Sequence, residues 1–170
     1  MDGWLIVRVV HVAALMGWFG ASIIAFFFVL PTARALGLAG QPFLDHLMNR
    51  RRMAAYFPVV VALTIVTGAA LYWHDSAGLQ LAWISSPTGL AFTIGGLAAI
   101  ASFVAGSVLT GPSAAELTAV QNELAKGDGV LSEAQRGRLE RAGRRTRLAT
   151  RVDPPLVLLA GLLLAVARYL

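Results

Sequence analysis

Few side chains in this 170-residue chain are equipped for chemistry. Arg8 and His11 sit in an otherwise apolar N-terminal stretch, His74 and Asp75 close a second one, and Arg168 lies near the C-terminus. Ionisable groups in lipid are costly and default to function. Trp4, Arg8, His11, Leu15, Trp18 and Ser22 recur at three- and four-residue steps, which places them on one helical stripe. A neutral imidazole on such a stripe needs a hydrogen-bond partner, a metal or a haem iron. His11 is therefore either a ligand or a structural histidine bonded to a carbonyl. Arg8 and Arg168 belong to one end of the molecule, where they either pair with carboxylates such as haem propionates or snorkel to the surface. His74 lies near that end and becomes a second ligand only if its helix tilts or unwinds. His46 lies in a basic stretch and is expected to be solvated.

Other chemistries fail on inventory. The chain has no cysteine, which excludes thiolate metal sites, disulfides and a cysteine nucleophile. It has no His-Glu-x-x-His, no Gly-x-Ser-x-Gly elbow, no glycine-rich phosphate loop and no carboxylate pair within an apolar stretch. Ser102 and Ser107 have no base nearby in the sequence, which argues against a serine hydrolase. Small residues form further faces: Ala13, Gly17, Gly20 and Ala21, then Thr64, Thr67 and Gly68, then Gly95, Ala99, Ser102 and Gly106. These let a neighbouring helix or a flat ligand approach, and ordinary packing is the commoner use.

The elements that carry these residues follow from the gaps between charges. Arg8 to Arg34 encloses 25 residues without Asp, Glu, Lys or Arg; Arg52 to Asp75 encloses 22, and Asp75 to Glu116 encloses 40. Each gap holds the roughly 20 apolar residues that cross a bilayer core of about 30 Å. The stretch after Asp153 has 14 uncharged residues before Arg168, whose side chain can snorkel. Only 14% of residues are charged and mean hydropathy is +0.69. The expected fold class is all-α integral membrane: one domain over 1–170, with four spans near 4–31, 53–74, 87–111 and 154–170 in a bundle. The fallback for the last span is a helix dipping into one leaflet. Pro31 and Pro154-Pro155 are expected at span boundaries, and Pro58 is expected to kink or widen the first turn of the second span.

Twelve of the fourteen Lys and Arg residues lie in 32–52 and 112–152, and none lies in 75–86. The positive-inside rule places both basic connections in the cytoplasm and both termini outside, in a multi-pass plasma-membrane protein. The acidic start and the length of the first apolar stretch argue against a cleaved signal peptide. Within 112–152, Ser113 and Glu116 have capping-box spacing, Gly127-Asp128-Gly129 reads as a turn, and Ser132 can cap a second helix. A cytoplasmic helical hairpin, with its first helix a candidate continuation of span 3, is the expectation. Segment 136–151 carries seven arginines against one glutamate. Arg136–Arg151 should rest on anionic headgroups; nucleic acid is not the expected partner.

His11, Trp18, Gly20 and Pro31 together resemble the opening helix of the HemJ-type protoporphyrinogen oxidases and of the wider CopD-like group of small bacterial membrane proteins. Asn49-Arg50-Arg51-Arg52, Pro58 and Thr67-Gly68 are similar to their second helix, and Arg147 to Pro155 fits the approach to their last. The resemblance implies b-type haem in a bacterial inner membrane, with His11 as the iron ligand; Arg8, Trp18, His74 and Arg168 are the candidate cofactor contacts that the stripe and the span ends offer beside it. The oxidases carry a functional lysine leading into the third helix, whereas 75–111 contains no Lys or Arg. Met16 and Met53 are too few for methionine-rich copper ligation. Three functions stay open: a haem protein handling electrons or a small redox substrate, and so a possible membrane oxidoreductase; a non-enzymatic subunit of a larger membrane complex or homo-oligomer; and a metal or small-solute permease component.

Overall fold

Asp2 opens the first helix by accepting a hydrogen bond from the Trp4 N–H at 3.2 Å, and α1 runs Gly3–Ile24. A computed structural model describes residues 2–127 and 130–170, apart from the side chains of Arg34, Leu38 and Gln41. A π turn, Ala25–Val29, leads into α2, Leu30–Ala35. Pro31 thus lies inside helical structure, beyond the boundary expected for it. The extra residue of the π turn relieves the clash and the missing N–H that proline brings to an α turn. A second π turn, Gly106–Thr110, precedes Pro112 in the same way.

A left-handed Gly37, φ +57°, breaks the chain after α2, and a 3₁₀ turn, Gly37–Ala39, leads to α3, Gly40–Asp45. A π turn, His46–Arg50, and a left-handed Arg52, φ +56°, then precede α4, Met53–Asp75. His46 is exposed, as expected of a solvated residue. Pro58 lies in the second turn of α4, which continues through it. After a tight turn, short α5, Leu81–Ile84, leads to Ser86, whose hydroxyl accepts from the Gly89 N–H at 3.0 Å and caps α6, Pro87–Ala105. The chain continues through the π turn into α7, Gly111–Lys126, and returns as α8, Glu133–Val166, with a final 3₁₀ turn, Ala167–Tyr169. Four helical segments, Gly3–Ala33, Met53–Asp75, Pro87–Lys126 and Glu133–Tyr169, are long and apolar enough to cross a membrane. No strand occurs among the described residues.

Two local expectations fail for one reason. Ser113 does not cap a helix: it is buried inside α7, and its hydroxyl donates to the Leu109 carbonyl at 2.6 Å. Pro154 and Pro155 do not mark a boundary: they lie inside the 34-residue α8. In both places the helix continues across a local stop signal while packed against its antiparallel neighbour. The carbonyls of Thr150 and Arg151, which lose their donors to the prolines, lie on half-buried and exposed residues. The expected cap at Ser132 is present, with Gln135 completing a capping box. Asp128 and Gly129 of the expected turn lie outside the described residues; Gly127 is a turn residue.

The α6–α7 rod and α8 form one long hairpin. Ser102 on α6 donates to Asp153 on α8, Arg138 bonds Glu116, and Gln135 donates to Glu123 at 3.0 Å. From the first pair to the last, one rod advances twenty-one residues while the other retreats eighteen, as antiparallel helices in steady register do. Arg147 and Arg151 are exposed, so the apolar zone ends near Asp153. Its partner on the other rod is Ser102. The rods run on together for twenty or so residues past this pair, about 30 Å by helical rise. The arginine-rich segment packs along α7 as one arm of this hairpin.

At the centre, Trp18, Val60, Val61, Ala98, Ala99 and Ala160 form the core, contributed by α1, α4, α6 and α8. Lipid is as apolar as these side chains, so close packing holds the helices together. Gly161 shows how close: a Cβ there would lie 2.5 Å from Cε2 of Phe19.

The hairpin tip offers a pH test. Hydrogen bonds from Gln135 and then Arg138 hold the Glu123 carboxyl below its usual range. A depressed carboxyl contributes stability above its unfolded pKa of about 4.3, and that contribution fades as pH falls through the lower folded value. Spin labels at Asn122 and Arg136 should show a narrow distance distribution at neutral pH that broadens in that acid window. Glu123→Gln should remove most of the acid response; a wild-type distribution unchanged into strong acid would refute the assignment.

Candidate functional site around His11

Helices α1 and α4 run antiparallel, and their contacts step down from the chain-terminus end. Trp4 stacks on His74 with ring centroids 4.1 Å apart. One turn deeper, Arg8 bonds both carboxylate oxygens of Asp75 at 3.3 Å, and Asp75 also accepts from His74 Nδ1 at 3.0 Å. His11 follows, then Gly17 against Tyr56, then Trp18 in the core. Arg8 thus neutralises an acid on the facing helix, and the pair is partly exposed, a setting in which an ion pair adds little stability.

The His11 ring rests on α4 at Gly68, where an added Cβ would lie 2.8 Å from Cε1. Nδ1 is 3.0 Å from the Thr64 carbonyl oxygen and 3.1 Å from Thr67 Oγ1. A carbonyl only accepts, and the Thr67 hydroxyl proton is committed to the Leu63 carbonyl at 2.5 Å. Both contacts therefore require Nδ1 to donate. The neutral ring carries its proton on Nδ1 and its free lone pair on Nε2. Nε2 has no protein partner among the described residues and is not buried. A bonded, oriented Nδ1 with an open Nε2 is the arrangement in which histidines ligate metals.

The remaining candidates separate. His74 lies six residues beyond Gly68 along α4, about 9 Å, and is engaged by Trp4 and Asp75, so the fold does not bring it to His11. Trp18 is a core residue with 7% of its surface exposed. Arg168 is exposed in the final 3₁₀ turn, at the same end as Arg8, and no acid pairs with it among the described residues. No cluster of three His, Asp or Glu side chains able to hold a metal forms among the described residues.

Haem can be tested against this geometry. The donor set fits, because one imidazole presents Nε2 with its tautomer already set. An apolar crevice beside Leu15, Trp18, Phe19 and Ser102 has room for about one water and not for a macrocycle. A macrocycle on Nε2 would lie on the flank of the bundle.

Sequence reasoning missed two acids. Asp75 was placed at a helix end without its partner Arg8, although both belong to the same end by span parity. Asp153 was taken for a boundary residue, whereas it is 7% exposed and bonded to Ser102. The sequence offered a partial signal: two prolines follow it, so of the two backbone donors a capping aspartate uses only the Leu156 N–H would remain. No protein family, curated protein or solved structure matches this chain.

Proposed function

We propose that the chain is a haem b protein of a bacterial plasma membrane, handling electrons or a small redox substrate, with His11 Nε2 as the iron ligand. The observation that carries this reading is the Nδ1–H bond to the Thr64 carbonyl, which leaves Nε2 as the free base. Haem b supplies a one-electron couple when bound. The chain's part is to fix the ring with Thr64 and Thr67 and to give it room at Gly68. Arg168 is the free cation for a propionate, while Arg8 stays with Asp75. Protein expressed with ample haem and purified in detergent should show a Soret band. Bound metal without haem would favour a permease component instead.

A second reading, a non-enzymatic subunit, is favoured by Gly20 and Gly96. A Cβ at either meets nothing within 4 Å, so both leave outer surface open to another helix. A colourless protein free of metal would support it.

In this proposal both termini lie outside and the projecting hairpin is cytoplasmic. Single cysteines in a cysteine-free chain report that directly. Ser76 is fully buried and unsuitable, whereas Gln80 and Gly127 are exposed. Gln80→Cys should react with an impermeant maleimide added outside and Gly127→Cys should not; the reverse pattern inverts the topology. On this reading the hairpin stands upright on the membrane and divides the arginines. Arg147 and Arg151 reach anionic headgroups, whereas Arg136 stands about 22 Å beyond Arg151 by helical rise. At physiological salt the Debye length is about 8 Å, so lipid charge is screened at that height.

A further inference from the structure

We propose that Asp153 and Ser102 form a proton-binding site at the basic-side edge of the apolar zone, with the Asp153 carboxyl as the group that takes up the proton. Asp153 is 7% exposed as a residue, its one described partner is the Ser102 hydroxyl, which donates to Oδ1, and Oδ2 keeps a little access to its surroundings. A buried carboxylate is ordinarily held by a cation or by several backbone N–H groups. Neither is at hand. The residues that follow, Pro154 and Pro155, have no N–H to give. Helix α6 and the π turn Gly106–Thr110 carry no ionisable side chain. The ionisable groups of α1, Arg8 and His11, lie toward the far end of the bundle, bonded to α4. On α7, Glu116 and Glu123 are taken by Arg138, and Lys126 lies at the hairpin tip. On α8 itself, Arg147 and Arg151 are exposed and form no ion pair with Asp153. An anion here would stand on one hydroxyl.

A proton supplies what the fold withholds. It adds to Oδ2, the charge disappears, and the Ser102 hydroxyl goes on donating to Oδ1, so uptake breaks no bond between the helices. The source is water on the basic side, since Arg151 lies two residues away and is exposed. The site also lines the one-water crevice that runs along Ser102 to Leu15 and Trp18 of α1. The site stands on its own geometry and needs no cofactor.

The test is infrared spectroscopy on the full chain in lipid nanodiscs, comparing wild type with the isosteric Asp153→Asn. At neutral pH the wild type should show a protonated-carboxyl C=O band that shifts in deuterated water and is lost in Asp153→Asn. Ser102→Ala should retain the band but move it to higher frequency, because the carbonyl loses its donor. Raising the pH should convert the wild-type band to a carboxylate signal, with no such change in Asp153→Asn. Absence of the neutral-pH band, or its persistence in Asp153→Asn, would overturn the proposal. A band that Ser102→Ala leaves in place would overturn the role given to the hydroxyl.

Discussion

His11→Ala should abolish haem retention, with the Soret band of the purified protein lost outright. The expectation rests on a single open nitrogen: Nδ1 is committed to Thr64 and Thr67, so Nε2 is all the ring has to offer a metal. Two milder variants separate ligation from simple packing. Thr67→Val removes one acceptor from Nδ1 while leaving the ring in place, and outer-shell losses of this kind typically cost about 10–100-fold in metal affinity. Gly68→Ala places a methyl 2.8 Å from Cε1 and must push the ring off α4, so it should weaken retention while leaving the other helices in register. His46→Ala, on an exposed residue of the basic connection, should change nothing. A wild-type protein without Soret absorbance would sink the reading and leave His11 as a packing residue tied to a carbonyl.

The largest loss of stability should come from Trp18→Ala. Trp18 packs with Val60 and Val61 of α4, Ala98 and Ala99 of α6, and Ala160 of α8. The three alanines among them cannot fill the space left behind, and Phe57, Ile65 and Leu156 around the cluster can fill it only in part. Truncating a large core aromatic costs about 3–5 kcal/mol in soluble proteins. Lipid removes much of the transfer contribution, since the indole would be apolar-solvated in either state, and leaves the lost contacts and the cavity. We expect about 3 kcal/mol, the lower end of that range. Denaturation in mixed micelles should show it, with Trp4→Ala, on a partly exposed ring, as the comparison. Equal losses for the two tryptophans would mean that the centre of the bundle is not packed around Trp18.

Much of the architecture was legible from charge alone. The gaps bounded by Arg8, Arg34, Arg52, Asp75 and Glu116 located three apolar helices, because a bilayer-length stretch without charge has few other uses. The stripe from Trp4 to Trp18 was legible too, since helical periodicity depends only on sequence spacing. What that stripe faces was not. Arg8 meets Asp75 and His11 meets Thr64 because α1 and α4 pack antiparallel at one register, and a register is a property of two helices together. For the same reason Pro154-Pro155 read as a stop while α8 runs through them: a local signal gives way when the neighbouring rod supplies contacts along the whole length. Asp153 marks the limit most sharply. Its sequence neighbours include two prolines without an N–H, but only the packing of α6 against α8 decides that it is buried and that Ser102 is the group it meets.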